Sequence, residues 1–292
     1  MLRSLFAKSR FPGALHFLSR TIRRTYSDVV NKQSAVGSKL FESIRAKKLF
    51  YVDKTKFAED LILYHPHAVL LKPPRSGKSL FLNMLDYLFD KSFEDRFDEL
   101  FGDLHVGANK ASGKANTFYV LTITLPPGPI SESCVVHNEY HIKVMAAMKT
   151  FLRRHRDVLN DLMTPFQTYD DSLNYIGLLT EIRDIVGTEN LLVLVDEYDR
   201  APMEAYISQT NKNVTGEQTG DSSVSVKASL AKFLFTLKDL GVRYLITGIF
   251  TVPGIHIHFS FIHTYIHTYI HTYIHVYMHI DSFSRSHTHT QV

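Results

Sequence analysis

Two short groups of residues, far apart in the chain, have the types and spacing to handle a phosphorylated ligand. The first is Lys72-Pro73-Pro74-Arg75-Ser76-Gly77-Lys78-Ser79, whose last three residues close the pattern G-x-x-x-x-G-K-S/T. A glycine there lets the backbone turn tightly, so that successive amide N–H groups point at phosphate oxygens. The lysine reaches the β- and γ-phosphates and the hydroxyl can ligate Mg²⁺. A helix starting at this point also turns its positive end to the anion. The first glycine of the pattern is absent, its place taken by Lys72. The second group is Asp196 and Glu197, which end the apolar run Leu191-Leu-Val-Leu-Val195. A buried strand would fix Asp196 beside the metal, and Glu197 would polarise the water that attacks the γ-phosphate.

Each group has a plainer explanation when taken alone. Gly-Lys-Ser is frequent by chance, and two acids after an apolar run can be an ordinary strand end. Their occurrence together, in this order and each in a fitting local context, weighs against coincidence. Thr247 ends the run Val242–Thr247 and has two readings: a polar sensor beside the γ-phosphate, or a structural threonine at a strand end, which is the commoner case. Arg75 divides evenly between holding phosphate, since guanidinium donors suit oxyanions, and lying solvated on the loop. Asp53 and Lys54 are read as fixing the entry to a helix, with an acid near its N-terminus, and not as chemistry.

These groups can meet only if a scaffold brings strand ends together. The runs Ala68–Leu71, Phe118–Leu125, Leu191–Val195 and, apart from Arg243, Val242–Thr247 are continuously apolar or β-branched. That pattern suits strands buried on both faces, as in a parallel sheet covered by helices. Helical spacing appears over Ser79–Phe89, His137–Leu162, Leu173–Val186 and Lys227–Leu240, while the polar stretch Asn211–Val226 reads as an exposed loop. Strands alternating with helices predict an α/β fold.

Further stretches carry a family resemblance. Val36-Gly-Ser-Lys-Leu-Phe-Glu-Ser-Ile-Arg45, Phe50-Tyr-Val-Asp-Lys-Thr-Lys-Phe57, Ser79–Phe89, Glu99-Leu-Phe-Gly-Asp-Leu104, Val195-Asp-Glu-Tyr-Asp199 and Ile246-Thr-Gly248 occur in order. Together they resemble the AAA-ATPase-like family of P-loop proteins, over roughly residues 36–250. The family's loop typically reads R-P-R-R-F-G-K-S, so a missing first glycine is expected of it. Here Pro73, Arg75, Gly77, Lys78 and Ser79 match, while Pro74 and Ser76 replace Arg and Phe. The resemblance implies a P-loop NTPase sheet of the additional-strand type, ATP and Mg²⁺ as ligands, and hydrolysis with Glu197 as base. It places Lys72–Ser79 and Thr247 on nucleotide, and Ser79 and Asp196 on metal. Prokaryotic members often carry a PD-(D/E)xK nuclease-like domain, of which no segment follows here. In the additional-strand type a fifth strand follows the sensor strand and pairs with the loop strand. The chain leaves the family pattern near Phe250, which predicts a sheet incomplete at its C-terminal end unless 255–261 substitutes. Two other readings follow: an ATP-gated interaction module without turnover, or a truncated, nonfunctional product.

Composition narrows the remainder. The apolar fraction of 45% and charged fraction of 21% are those of a globular protein, and the single cysteine, Cys134, leaves no internal disulfide. No apolar run is long enough for a membrane span. The net charge of +4 belongs to the leader: residues 1–27 hold six basic residues and no acid, leaving 27 basic against 29 acidic elsewhere. A slightly acidic body does not indicate a nucleic-acid binder. The leader has the Arg- and Ser-rich amphipathic composition of a mitochondrial transit peptide; without import the location would be cytoplasmic. A protein partner and a homo-oligomer are both compatible with the sequence. The tail, 254–292, is low in complexity and expected to be disordered; within it Ile262–His275 repeats Ile-His-Thr-Tyr with a period of four, as a translated ATAC microsatellite would. On a helix the five histidines spaced by four, His263, His267, His271, His275 and His279, would form one face able to bind Zn²⁺ or Ni²⁺. The residues favour extended structure, and no carboxylate or thiol joins them.

Overall fold

The computed structural model describes residues 40–125, 133–162, 175–215 and 222–252. The basic leader and the repeat tail, with the expectations attached to them, lie outside these residues. The chain forms two compact units, one ending at Asp53 and the other beginning at Lys54. In the first, a short helix α1 (Phe41–Ala46) ends as Lys48 turns to positive φ (49°) and Leu49 N donates back to Ile44 O at 3.0 Å. Within that unit Tyr51 meets the Phe41 ring edge-on.

The second unit alternates helix and strand as the apolar runs require. Its elements are α2 (Thr55–Tyr64), β1 (His67–Leu71), α3 (Lys78–Phe89), β2 (Tyr119–Thr124), α4 (Ser133–Arg154), α5 (Tyr175–Val186), β3 (Leu191–Asp196), α6 (Arg200–Thr215), α7 (Ser222–Asp239) and β4 (Arg243–Gly248). All four strands are parallel and lie in the order β1-β4-β3-β2. Alternate side chains of a strand point to opposite faces. Leu121, Ile123, Val193, Val195, Tyr244 and Ile246 therefore share one face, which packs against Val144, Met148, Phe151, Leu179, Ile182, Phe233 and Leu237 of α4, α5 and α7. Helix α3 packs on β2 and β3. Every residue of β3 is buried, which is why its sequence shows no polar alternation.

The sheet order has a direct consequence for the loop strand. Among the described residues β1 pairs with β4 alone, its other edge being the side where a fifth strand was expected; residues 255–261 fall outside the description. No helix among the described residues is long and apolar enough to cross a membrane.

Two expectations are corrected. The helix expected over His137–Leu162 breaks after Arg154 and resumes as a single α-turn, Arg156–Leu159, followed by a 3-10 turn over 160–162. The break at His155 (φ −110°, ψ 34°) has a cause in its side chain, which is buried between the rings of Tyr119 and Phe151 and bonds Asp90 at 3.1 Å. In the polar stretch 211–226, expected as a loop, the described residues are helical, since α6 runs on to Thr215 and α7 starts at Ser222, while 216–221 lie outside the described residues. The two helices pack against each other, and tertiary packing overrides a composition that disfavours helix on its own.

The C-terminal end of α3 is tied down by a buried charge cluster for which the sequence offered no motif. Asp90, fully buried, accepts from Ser92 N (2.8 Å), Ser92 Oγ (2.6 Å), Val120 N (3.1 Å) and Arg154 Nη1 (3.1 Å). Arg154 also binds Asp86 at 2.7 Å. Burial by itself would raise Asp90, but His155 and the Ser92 donors hold its carboxyl below the usual range. A depressed folded-state pKa means that this stabilisation is full above roughly pH 4 and lost as pH falls through the lower folded value. Arg154→Met leaves Asp86 without its cation and removes one donor from Asp90. We expect a loss of about 2–3 kcal/mol, seen as a lower urea midpoint at unchanged slope.

Candidate nucleotide site

Because the strands are parallel, the loop after β1, the acids after β3 and Thr247 on β4 all stand at the carboxyl edge of the sheet, where such folds bind ligands. The loop leaves β1 late. Lys72 N still donates to Gly248 O at 3.0 Å, so Lys72 continues the ladder and makes no turn. Positive φ occurs instead at Arg75 (61°) and Gly77 (85°). The demand for glycine therefore falls at position 77, and a lysine can occupy position 72 without strain. Gly77 is the N-cap residue of α3, and the helix begins at Lys78.

Lys78 folds back over the loop, its Nζ donating to Lys72 O (2.8 Å) and Pro73 O (3.0 Å). Burial pushes its pKa down, against the opposing charges of Asp196, Asp199 and Glu197. Lys72, Ser76, Gly77 and Lys78 line one cleft together with Lys54, Phe57, Leu70 and Phe81. Pro73, Pro74 and Arg75 are exposed on the loop.

The two distant sequence groups touch. Ser79 Oγ donates to Asp196 Oδ2 at 2.6 Å across 117 positions. The other carboxylate oxygen, Oδ1, accepts from Thr247 Oγ1 (2.5 Å) and Glu197 N (2.9 Å). Asp196 and Thr247 are buried. Geometry thus gives Thr247 an orienting contact on Asp196, reached because Val195 and Ile246 are register partners in adjacent strands. Glu197 follows at positive φ (57°), an uncommon backbone for a non-glycine, and its Oε2 accepts from Arg200 at 2.8 Å.

Tyr198 and Asp199 complete the same turn and were assigned no role from sequence. Asp199 Oδ2 accepts from Ile249 N (2.6 Å) and Phe250 N (2.7 Å), and Tyr198 OH donates to Phe250 O at 2.7 Å. Burial first, then the Asp199 charge, pushes the Tyr198 phenol up to about 12. The two side chains lock the chain leaving β4 against the turn that carries Glu197. Gly248 is required by this lock, since a Cβ there would sit 2.5 Å from Tyr198 Cε1 and 2.8 Å from Asp199 Oδ1. Gly248→Ala should cost about 1–3 kcal/mol, measurable as a lowered melting temperature.

Lys54, expected from the sequence only to fix the entry to a helix, stands at that entry, but its side chain lies elsewhere. It is the N-cap residue of α2 with no side-chain cap bond. Its ammonium lies in the loop cleft, 3.6 Å from where a Cβ on Gly77 would be. The signal available in the sequence was a lysine where helix starts favour Ser, Thr, Asp or Asn.

Residues 35–257 match the family model described as "Predicted AAA-ATPase" (AAA-ATPase-like). A curated protein of Azotobacter chroococcum mcd 1, titled "Uncharacterized protein in vnfD 5'region", is 29% identical over 170 residues, covering 58% of this chain. The chain spans 29% of that relative's length. No solved structure matches.

Proposed function

This chain belongs to the predicted AAA-ATPase-like family, and on that premise we propose that it binds MgATP at Lys72–Ser79 and Asp196 and hydrolyses it with Glu197 as base. Membership itself indicates nucleotide binding; the metal, the residues and the turnover are our reading. The observation that carries it is the 2.6 Å bond from Ser79 to Asp196, which joins the hydroxyl and carboxylate that Mg²⁺ would need. This oxygen pair suits a small hard cation that keeps most of its water and takes its remaining ligands from phosphate. Among the described residues no group of three or more His, Cys, Asp or Glu could hold a metal alone, which fits an ion that arrives with its nucleotide. Bound there, Mg²⁺ would neutralise charge on the β- and γ-phosphate oxygens.

The chain's own groups supply the remainder. Backbone N–H groups at the start of α3 and the Lys78 ammonium hold the phosphates. Thr247 and Glu197 N keep Asp196 in one orientation. Glu197 takes a proton from the water that attacks the γ-phosphorus, and ADP leaves with the electrons of the broken bond. Isothermal calorimetry of the full chain with MgATP tests the binding. Saturable heat near one equivalent is expected, and its absence at millimolar nucleotide removes the proposal.

A second reading, ATP binding without turnover, is favoured by one contact. Arg200 holds the Glu197 carboxylate at 2.8 Å, and a base so paired must be released before it can accept a proton. Phosphate release under saturating MgATP separates the two.

A further inference from the structure

The cleft beside the loop is lined by three lysines, Lys54, Lys72 and Lys78, and by no acid. Its other walls include Phe57, Leu70 and Phe81. The first turns of two separate helices, α2 with Lys54 and Phe57 and α3 with Lys78 and Phe81, face this one space. From these placements we infer that Lys54 is a second ammonium ligand of the polyphosphate chain, delivered from α2 to the phosphate loop that precedes α3. The inference rests on the nucleotide reading above and adds a binding residue to it.

Three observations support it. First, the Lys54 side chain does not cap its own helix: the backbone carbonyl accepts from Ala58 N, but the ammonium makes no cap bond, and a cation at the positive end of a helix is unfavourable. Second, no hydrogen bond or ion pair holds its ammonium among the described residues. Burial lowers its pKa, and burial first, then the Lys54 charge, lowers that of Lys72. Third, its Nζ already lies against the foot of the loop, 3.6 Å from the Cβ position of Gly77. A desolvated cation that feels the Lys72 charge and shares its cleft with Lys78 is costly in the free protein. A polyanion entering the cleft removes that cost and gains a charge-assisted hydrogen bond. Lysine suits this task because its ammonium meets phosphate as a point charge.

The test uses the full chain with Lys54→Gln and Lys54→Arg, read by MgATP calorimetry and by melting without nucleotide. Lys54→Gln should raise the MgATP Kd about 10- to 100-fold. Its nucleotide-free melting temperature should stay level or rise, because a repulsion is relieved. Lys54→Arg, which keeps the charge, should stay within about threefold of wild type. A Lys54→Gln affinity within about threefold of wild type overturns the inference. So does an affinity loss shared by Lys54→Arg and accompanied by a lower melting temperature in both, which would make the side chain a structural part of the loop. Wild-type protein that takes up no MgATP sinks the nucleotide reading itself, a different outcome from any of these.

Discussion

Lys78→Ala is expected to abolish MgATP binding, with the Kd raised at least about 100-fold. Each hydrogen bond between an ammonium and a phosphate oxygen is worth about 1.5–3 kcal/mol, and this side chain would make more than one. In the free protein the same ammonium is satisfied by two carbonyl oxygens of its own loop. Those bonds curl it over the cradle in the position from which it can be drawn onto a ligand. Losing them costs the fold little, because the Pro73 carbonyl is exposed and the Lys72 carbonyl only partly buried, so that water can replace the donor. The melting temperature should therefore change by only a few degrees while calorimetric heat disappears. Equal nucleotide affinity in the variant and the wild type would refute the placement of the phosphates.

Glu197→Gln should leave MgATP affinity within about threefold and reduce turnover about 10²- to 10⁴-fold, the usual contribution of a positioned general base. The backbone argues for a specialised position. Glu197 is held at φ 57° by bonds on both sides: its own N–H on Asp196 Oδ1, and Tyr198 N on Thr247 O at 3.2 Å. Glutamine keeps the size and can still accept from Arg200, so the turn survives while the proton acceptor is lost. Steady-state phosphate release and calorimetry on the same preparation decide it. Undiminished turnover in Glu197→Gln would transfer the base to another group, and parallel loss of binding would make Glu197 a structural residue.

The strands were legible in the sequence because each is a continuous apolar run, and a run without alternation has few alternatives once Gly or Pro bounds it. Leu191–Asp196 and Arg243–Gly248 lie within a residue of their expected limits. Helix ends were less legible. His155 breaks α4 through a bond to a residue 65 positions away, and no local propensity registers such a partner. Helices α6 and α7 extend into a polar stretch for a related reason, since their support comes from each other.

For the site, sequence by itself determined the chemistry on offer: an ammonium and a hydroxyl at a helix start and two carboxylates after a strand, in a spacing suited to a metal-bound triphosphate. These are local facts, set by residue type and by what immediately precedes and follows. Only the tertiary structure decided who meets whom. The order β1-β4-β3-β2 places β4 between the loop strand and the acid strand, so Asp196 takes Ser79 on one oxygen and Thr247 on the other. The same assembly brought Lys54 to the loop after β1, and joined the buried Asp90 and His155 with the partly buried Arg154 in one cluster. Such pairings depend on the register between strands and on helices crossing from elsewhere in the chain. Neither leaves a trace in the few residues on either side.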